Sequence, residues 1–153
     1  MDDLDEKIMR LLRSDAHQSG ETLSKKLGVT AATIRRRIRE LLRRKILRIV
    51  GLVDPNKIGF PLAAVIAFDV EQEKLESVVK MLANRPEVVW VSTTTGRFDI
   101  IALVRFRATD ELAAFMQKEM RQSQGFRDSE TFICLHVAKG RYVPMYLDPD
   151  TAL

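Results

Sequence analysis

Cysteine is nearly absent from this chain of 153 residues. A single residue, Cys134, excludes an internal disulfide framework and points to a reducing compartment. Histidine is almost as scarce. His17 falls in a polar stretch and His136 in an apolar one, with no nucleophile beside either and no Cys/His or carboxylate spacing that would hold a metal. Gly51, Gly59 and Gly96 stand alone, so no glycine-rich phosphate loop is present. We expect no catalytic centre, no metal and no cofactor. Long apolar runs are also missing. The longest, Leu62 to Phe68, is far too short to cross a membrane, and charged residues begin at Asp2, so no signal peptide is expected. A cytoplasmic protein with no membrane partner, ordered up to about Pro144, follows as the expectation.

What the chain does have is positive charge, unevenly placed. Residues 1–60 hold 14 Lys/Arg against 8 Asp/Glu, and residues 61–153 hold 11 against 13, although the whole chain is only +4. That asymmetry suggests a polyanion partner for the first part and another task for the second. The charge peaks at Arg35, Arg36, Arg37, Arg39, Arg43, Arg44, Lys45 and Arg48. Through them runs an apolar stripe at helical spacing: Ile34, Ile38, Leu41 and Leu42. This segment can be buried on one side and meet an anion on the other.

Its surroundings support that reading. Leu4, Ile8, Leu11 and Leu12 give a first amphipathic helix that starts at Asp2 or Asp3, where Asp2 and Asp5 act as caps. Glu21 to Leu27 is a second short helix ended by Gly28. Thr30 caps a third over residues 31–44. The layout is a helix-turn-helix with its third helix presented to double-stranded DNA. Around that helix, Ala32, Arg36, Arg39 and Arg43 point away from the apolar stripe. We expect base contacts from Arg36 and Arg39 with Thr33, close approach to base edges at the small Ala31 and Ala32, Thr30 at the same interface, and phosphate contacts from Arg35, Arg43 and Arg44.

Residues 46–53 read as a strand, followed by the turn residues Asp54-Pro55-Asn56. Beyond them the pattern alternates. Strand 62–70, helix 73–83, strands 87–95 and 98–106 joined by a tight Gly96-Arg97 turn, helix 109–122 and a last strand over 132–137 make β-α-β-β-α-β, a ferredoxin-like α+β domain. Its strands are apolar on both faces. Two helices can cover only one face of such a sheet, so a second copy is expected on the other, giving a two-fold homodimer. The hairpin Ser92 to Asp99 concentrates hydroxyls, a glycine, a cation and a carboxylate. Asp99 suits an ammonium, and the hydroxyls of Thr93 and Thr95 with the Gly96 backbone suit a carboxylate, so the loop can grip a zwitterion. Arg97 either favours an acidic side chain on the ligand or is simply solvated. A plain polar β-turn explains the same residues.

Five stretches resemble the Lrp/AsnC family of transcription factors. They are Asp2-x-x-Asp5-x-x-Ile8-Met9; the run from Leu23 through Leu27-Gly28-Val29-Thr30 to Thr33-Ile34, Arg37-Ile38 and Leu41; Asp54-Pro55-x-x-Ile58-Gly59; Thr95-Gly96-x-Phe98-Asp99; and Gly125-Phe126. The resemblance covers about residues 1–140. It implies a winged-type helix-turn-helix, dimers that assemble to tetramers or octamers, and an amino-acid effector bound between subunits at Thr93, Thr95, Gly96, Arg97, Phe98 and Asp99. It also implies a structural ion pair for Arg37. His17, Lys45 and Phe98 depart from the residues usual in the family, an arginine, a glycine and a tyrosine. The expected domains are a helix-turn-helix over 1–47, a linker strand and turn over 48–61, a ferredoxin-like domain over 62–140 and a tail over 141–153. The expected function is a sequence-specific, effector-modulated DNA-binding regulator rather than an enzyme. The alternative is a sirohaem-type tetrapyrrole decarboxylase of the same two-domain layout.

Overall fold

The computed structural model describes residues 1–122 and 125–138. The chain forms two compact units, Met1–Val50 and one beginning at Gly51. In the first, α1 (Asp3–Ser14) opens on a capping box: the Asp2 side chain accepts from the Asp5 N–H at 3.0 Å, and Asp5 accepts from the Asp2 N–H at 3.2 Å. Ser19 caps α2 (Gly20–Leu27), and Gly28 ends it in the left-handed conformation. Thr30 caps α3 (Ala31–Arg43). The three helices share a core of Ile8, Leu12, Leu23, Ile34 and Leu41. Each such side chain contributes roughly 1.5–3 kcal/mol on burial. So small a core leans on its caps and ion pairs.

The turn after α3 is formed without the glycine usual in the family. Lys45 takes φ +54, and its N–H bonds to the Leu42 carbonyl at 3.0 Å while the Ile46 N–H reaches Leu41 at 3.0 Å. That is the glycine-type helix stop, built on a lysine. The strand expected over 46–53 does not form; these residues are irregular, and no wing strand appears among residues 44–61. Ile49, Val50, Leu52 and Val53 are exposed instead. A strand needs a partner edge to satisfy its backbone, and the single chain offers none here.

The second unit has the order β1 (Leu62–Val70), α4 (Leu75–Ala83, entered by a 3-10 turn at Gln72–Lys74), β2 (Val88–Thr93), β3 (Ile100–Phe106), α5 (Thr109–Gln122) and β4 (Phe126–Ile133). The antiparallel sheet runs β2-β3-β1-β4, the ferredoxin-like arrangement. β4 lies earlier than the expected 132–137. Arg127-Asp128-Ser129-Glu130 looks like loop sequence, yet an edge strand pairs through its backbone and tolerates polar side chains. Gly125, before β4, has φ +118, and a Cβ there would lie 2.6 Å from the Lys74 Cβ. Only glycine fits.

One face of the sheet carries Ala64, Ile66, Phe68, Val70, Ile100, Ala102 and Val104, packed under Val78 and Leu82 of α4 and Leu112 and Phe115 of α5. The alternate residues make the other face. Val65 pairs with Leu103, Leu103 with Trp90, and Val65 with Phe132. Trp90 and Phe132 are each 50% exposed. No helix among the described residues is long and apolar enough to cross a membrane.

Candidate functional site

Burial of Ile34 and Leu41 fixes the rotation of α3, which leaves Arg35, Arg36, Arg39, Arg43 and Arg44 exposed together with Ala32 and Thr30. Thr33 is half-buried in the first turn, where its hydroxyl lies 2.9 Å from that of Thr30. The cations differ in what holds them. Arg35 donates to Glu21 of α2 at 2.6 Å. Arg43 makes a two-pronged contact with Glu40 at 2.7 and 3.1 Å, which draws the Glu40 carboxyl below its usual range. Arg39 Nε reaches the Arg35 carbonyl at 3.4 Å. Exposed pairs of this sort exchange readily for a stronger anion. Glu40 and Arg43 lie one helical turn apart, a local spacing that sequence alone carries, whereas the Glu21–Arg35 contact joins two helices.

Arg37 is different. It turns inward, 2.8 Å from Asp2 and 3.4 Å from Asp5, whose side chain is 7% exposed. It fastens the start of α1 to the middle of α3. The exposed face therefore excludes it.

In the second unit the expected two-residue turn is a six-residue loop, 94–99, between Thr93 and Ile100, which pair as neighbours of β2 and β3. The Thr94 N–H bonds to the Asp99 carbonyl at 2.8 Å, and the Thr94 hydroxyl donates to the Phe98 carbonyl at 2.7 Å. Gly96 takes φ +113 at the tip. Thr93, at the end of β2, and Thr95, Gly96 and Arg97 in the loop are all exposed. Arg97 lies over the Phe98 ring, 4.9 Å from its centroid. Asp99 lies at the loop base, beside the Thr93–Ile100 pair, with its carboxylate taken up by other donors. Its carboxylate accepts from the Val70 N–H at 3.0 Å and from Gln72 at 2.8 Å, and these donors lower its pKa, the Val70 contact foremost. It braces the end of β1, where the register with β4 shifts. Gln72, 27 positions away, gave no sequence signal.

A helix-turn-helix whose third helix bares a row of arginines, carried on one chain with a ferredoxin-like α+β domain, defines a DNA-binding transcriptional regulator with a ligand-binding domain. The AsnC-type helix-turn-helix domain matches residues 1–42, and the Lrp/AsnC ligand binding domain matches residues 63–144. An HTH-type transcriptional regulator of Pyrococcus abyssi is 35% identical over 147 residues, spanning 95% of this chain and 93% of that one. E. coli AsnC superposes with a TM-score of 0.86 at 24% identity, over 94% of this chain and 97% of that one. A transcriptional regulator of Neisseria meningitidis, solved as its complex with L-Met, superposes at 0.85 with 20% identity, over 92% and 93%. The chain belongs to the Lrp/AsnC family of transcriptional regulators. The decarboxylase alternative finds no support, because both matched domains are those of regulators.

Proposed function

We propose that this regulator binds a two-fold DNA site as a homodimer, with α3 of each protomer in a major groove. The observation that carries this reading is the split of α3 into a buried apolar stripe and an exposed face of Arg36, Arg39 and Arg43 beside the small Ala32. Small residues at the front let the backbone approach base edges, and arginine suits bidentate contact with guanine. Arg36 and Arg39, with Thr33, read bases. Arg35, Arg43 and Arg44 hold phosphates, exchanging Glu21 and Glu40 for DNA where those carboxylates now pair.

The dimer rests on the outer sheet face, where Val65, Leu103, Trp90 and Phe132 form an apolar surface that water would otherwise cover. Further assembly to tetramers or octamers would use other surfaces. The effector we propose is a small amino acid held at the hairpin by the Thr95, Gly96 and Arg97 region, with Asp99 keeping the loop in shape from below. The L-Met complex of the Neisseria regulator supports this as a use to which the same fold is put.

The test is DNA binding by fluorescence anisotropy on an operator selected from random sequence. With about eight phosphates contacted, log K should fall with a slope near −7 against log salt. Arg36→Ala should cost roughly 1–3 kcal/mol on the selected site and little on random DNA. Equal affinity of the wild type for both DNAs would overturn sequence-specific recognition. For the effector, Gly96→Val should abolish amino-acid binding at the hairpin, because a branched side chain strains a backbone held at φ +113. Unchanged calorimetric binding would move the site elsewhere.

A further inference from the structure

A cavity of about 440 Å³ opens at the end of the sheet opposite the hairpin. The hairpin joins the end of β2 to the start of β3. The cavity instead lies where β3 ends, at Phe106 and Arg107, against Arg85 and Glu87 ahead of β2 and against α5. Its volume is that of a small-molecule site. Phe60 and Phe115 give it apolar wall.

Its polar groups are unusual. Glu119 of α5 is 1% exposed. One of its oxygens lies 2.8 Å from Arg85 Nη2, yet neither oxygen receives a donor in hydrogen-bonding geometry. Glu87 Oε2, which borders the same cavity, is buried in the same condition. Buried acceptors left without donors are costly, and Arg85 Nε on the same wall is a buried donor left without an acceptor, so the void calls for an occupant that carries both donors and acceptors. On the exposed side of the cavity stand two cations, Lys118 and Arg107, the latter 5.3 Å over the Phe60 ring.

We propose that this cavity is a second ligand site, separate from the hairpin, that takes a small zwitterion with an apolar body. The ammonium, with three donors, meets the oxygens of Glu119 and Glu87. The carboxylate turns toward Arg107 and Lys118. The apolar part lies along Phe60 and Phe115. Glu119 is thereby a binding residue as well as the partner of Arg85.

Calorimetry on the full chain decides it, with L-phenylalanine, L-leucine and L-methionine as probes, each beside its N-acetyl form. At least one free amino acid should bind saturably, and N-acetylation, which removes the ammonium, should weaken it about tenfold or more. Ala114→Trp places a large ring in the cavity from an exposed position on α5 without altering any charge. It should remove this binding and leave the Tm and DNA affinity unchanged. Glu119→Gln should weaken binding too, but it also disturbs Arg85, so Ala114→Trp carries the decision. The proposal falls if none of the three binds wild type, which would mean a cavity filled by water alone. It falls equally if Ala114→Trp binds as wild type does, or if the N-acetyl form binds as tightly as the free amino acid. Binding lost in Gly96→Val but kept in Ala114→Trp would leave the hairpin reading standing and overturn this one.

Discussion

The outward face of α3 is exposed and the outward face of the sheet is partly exposed in the single chain, and their chemistry is opposite. The first is a row of arginines over a buried apolar stripe. The second is Val65, Leu103, Trp90 and Phe132 over a buried apolar layer. A charged face is stable in water and needs no cover, so its meaning lies in the excess and arrangement of charge. An apolar face is costly in water, so its meaning lies in what hides it. Two faces that would both be called surface thus ask for different partners: DNA for the first and, in the dimer proposed above, a second copy for the other. The exposed apolar stretch Ile49 to Val53 belongs with the sheet face on this criterion.

The largest expected effect breaks the sheet side of that comparison. Leu103 faces outward and Val104 is buried beneath the helices. Leu103→Glu should therefore bury an unpaired carboxylate in the dimer, at a cost of about 3 kcal/mol or more, and leave the protomer folded. Sedimentation equilibrium should find a monomer at micromolar concentration. A variant that stays dimeric, or a monomeric wild type, would remove the apolar face from the argument.

Next comes the inward arginine. Arg37→Ala strips the buried Asp5 of its cation and should lower stability by about 2 kcal/mol. Urea denaturation measures it. Its neighbour Arg36, exposed and read as a base contact, should change stability little on the same substitution. Similar stability losses for the two would mean that burial does not separate their roles. Arg43→Ala sharpens the charged side further. It should weaken binding to all DNA sequences alike and flatten the salt slope by about one unit; a loss confined to the selected operator would reassign Arg43 to base reading.

The smallest effect is at the turn that ends α3. Lys45 holds a left-handed conformation that costs a side-chain-bearing residue roughly 1 kcal/mol. Lys45→Gly should recover part of that in thermal unfolding, less the greater freedom of glycine in the unfolded chain. A fall in Tm would show that the lysine side chain contributes there more than the strain costs.

Periodicity carried much of the fold. The stripes at Leu4/Ile8/Leu11 and Ile34/Ile38/Leu41 placed α1 and α3, and the doubly apolar runs 62–68 and 100–104 marked the two central strands of the sheet. Where a strand's middle is polar and held mainly by its backbone ladder, the pattern failed, as over residues 127–130 of β4. Where a strand needs an edge the chain does not supply, as at 46–53, apolar alternation misled. In the candidate sites, the exposed arginines of α3 were legible because helical rotation follows from the buried stripe. The bracing of Asp99 by Val70 and Gln72 was not, since 29 and 27 positions separate the partners.

The sequence by itself determined the helix-turn-helix, the basic third helix and the strand–helix alternation of the second unit. These depend on local periodicity, capping residues and net charge, all of which act within a few residues. Tertiary structure alone decided which carboxylates hold Arg35 and Arg37, that Asp99 faces the base of its loop, and that Glu119 and Glu87 border one cavity. Each of these brings together side chains from different elements, and their meeting is set by how the elements pack, which no local pattern encodes.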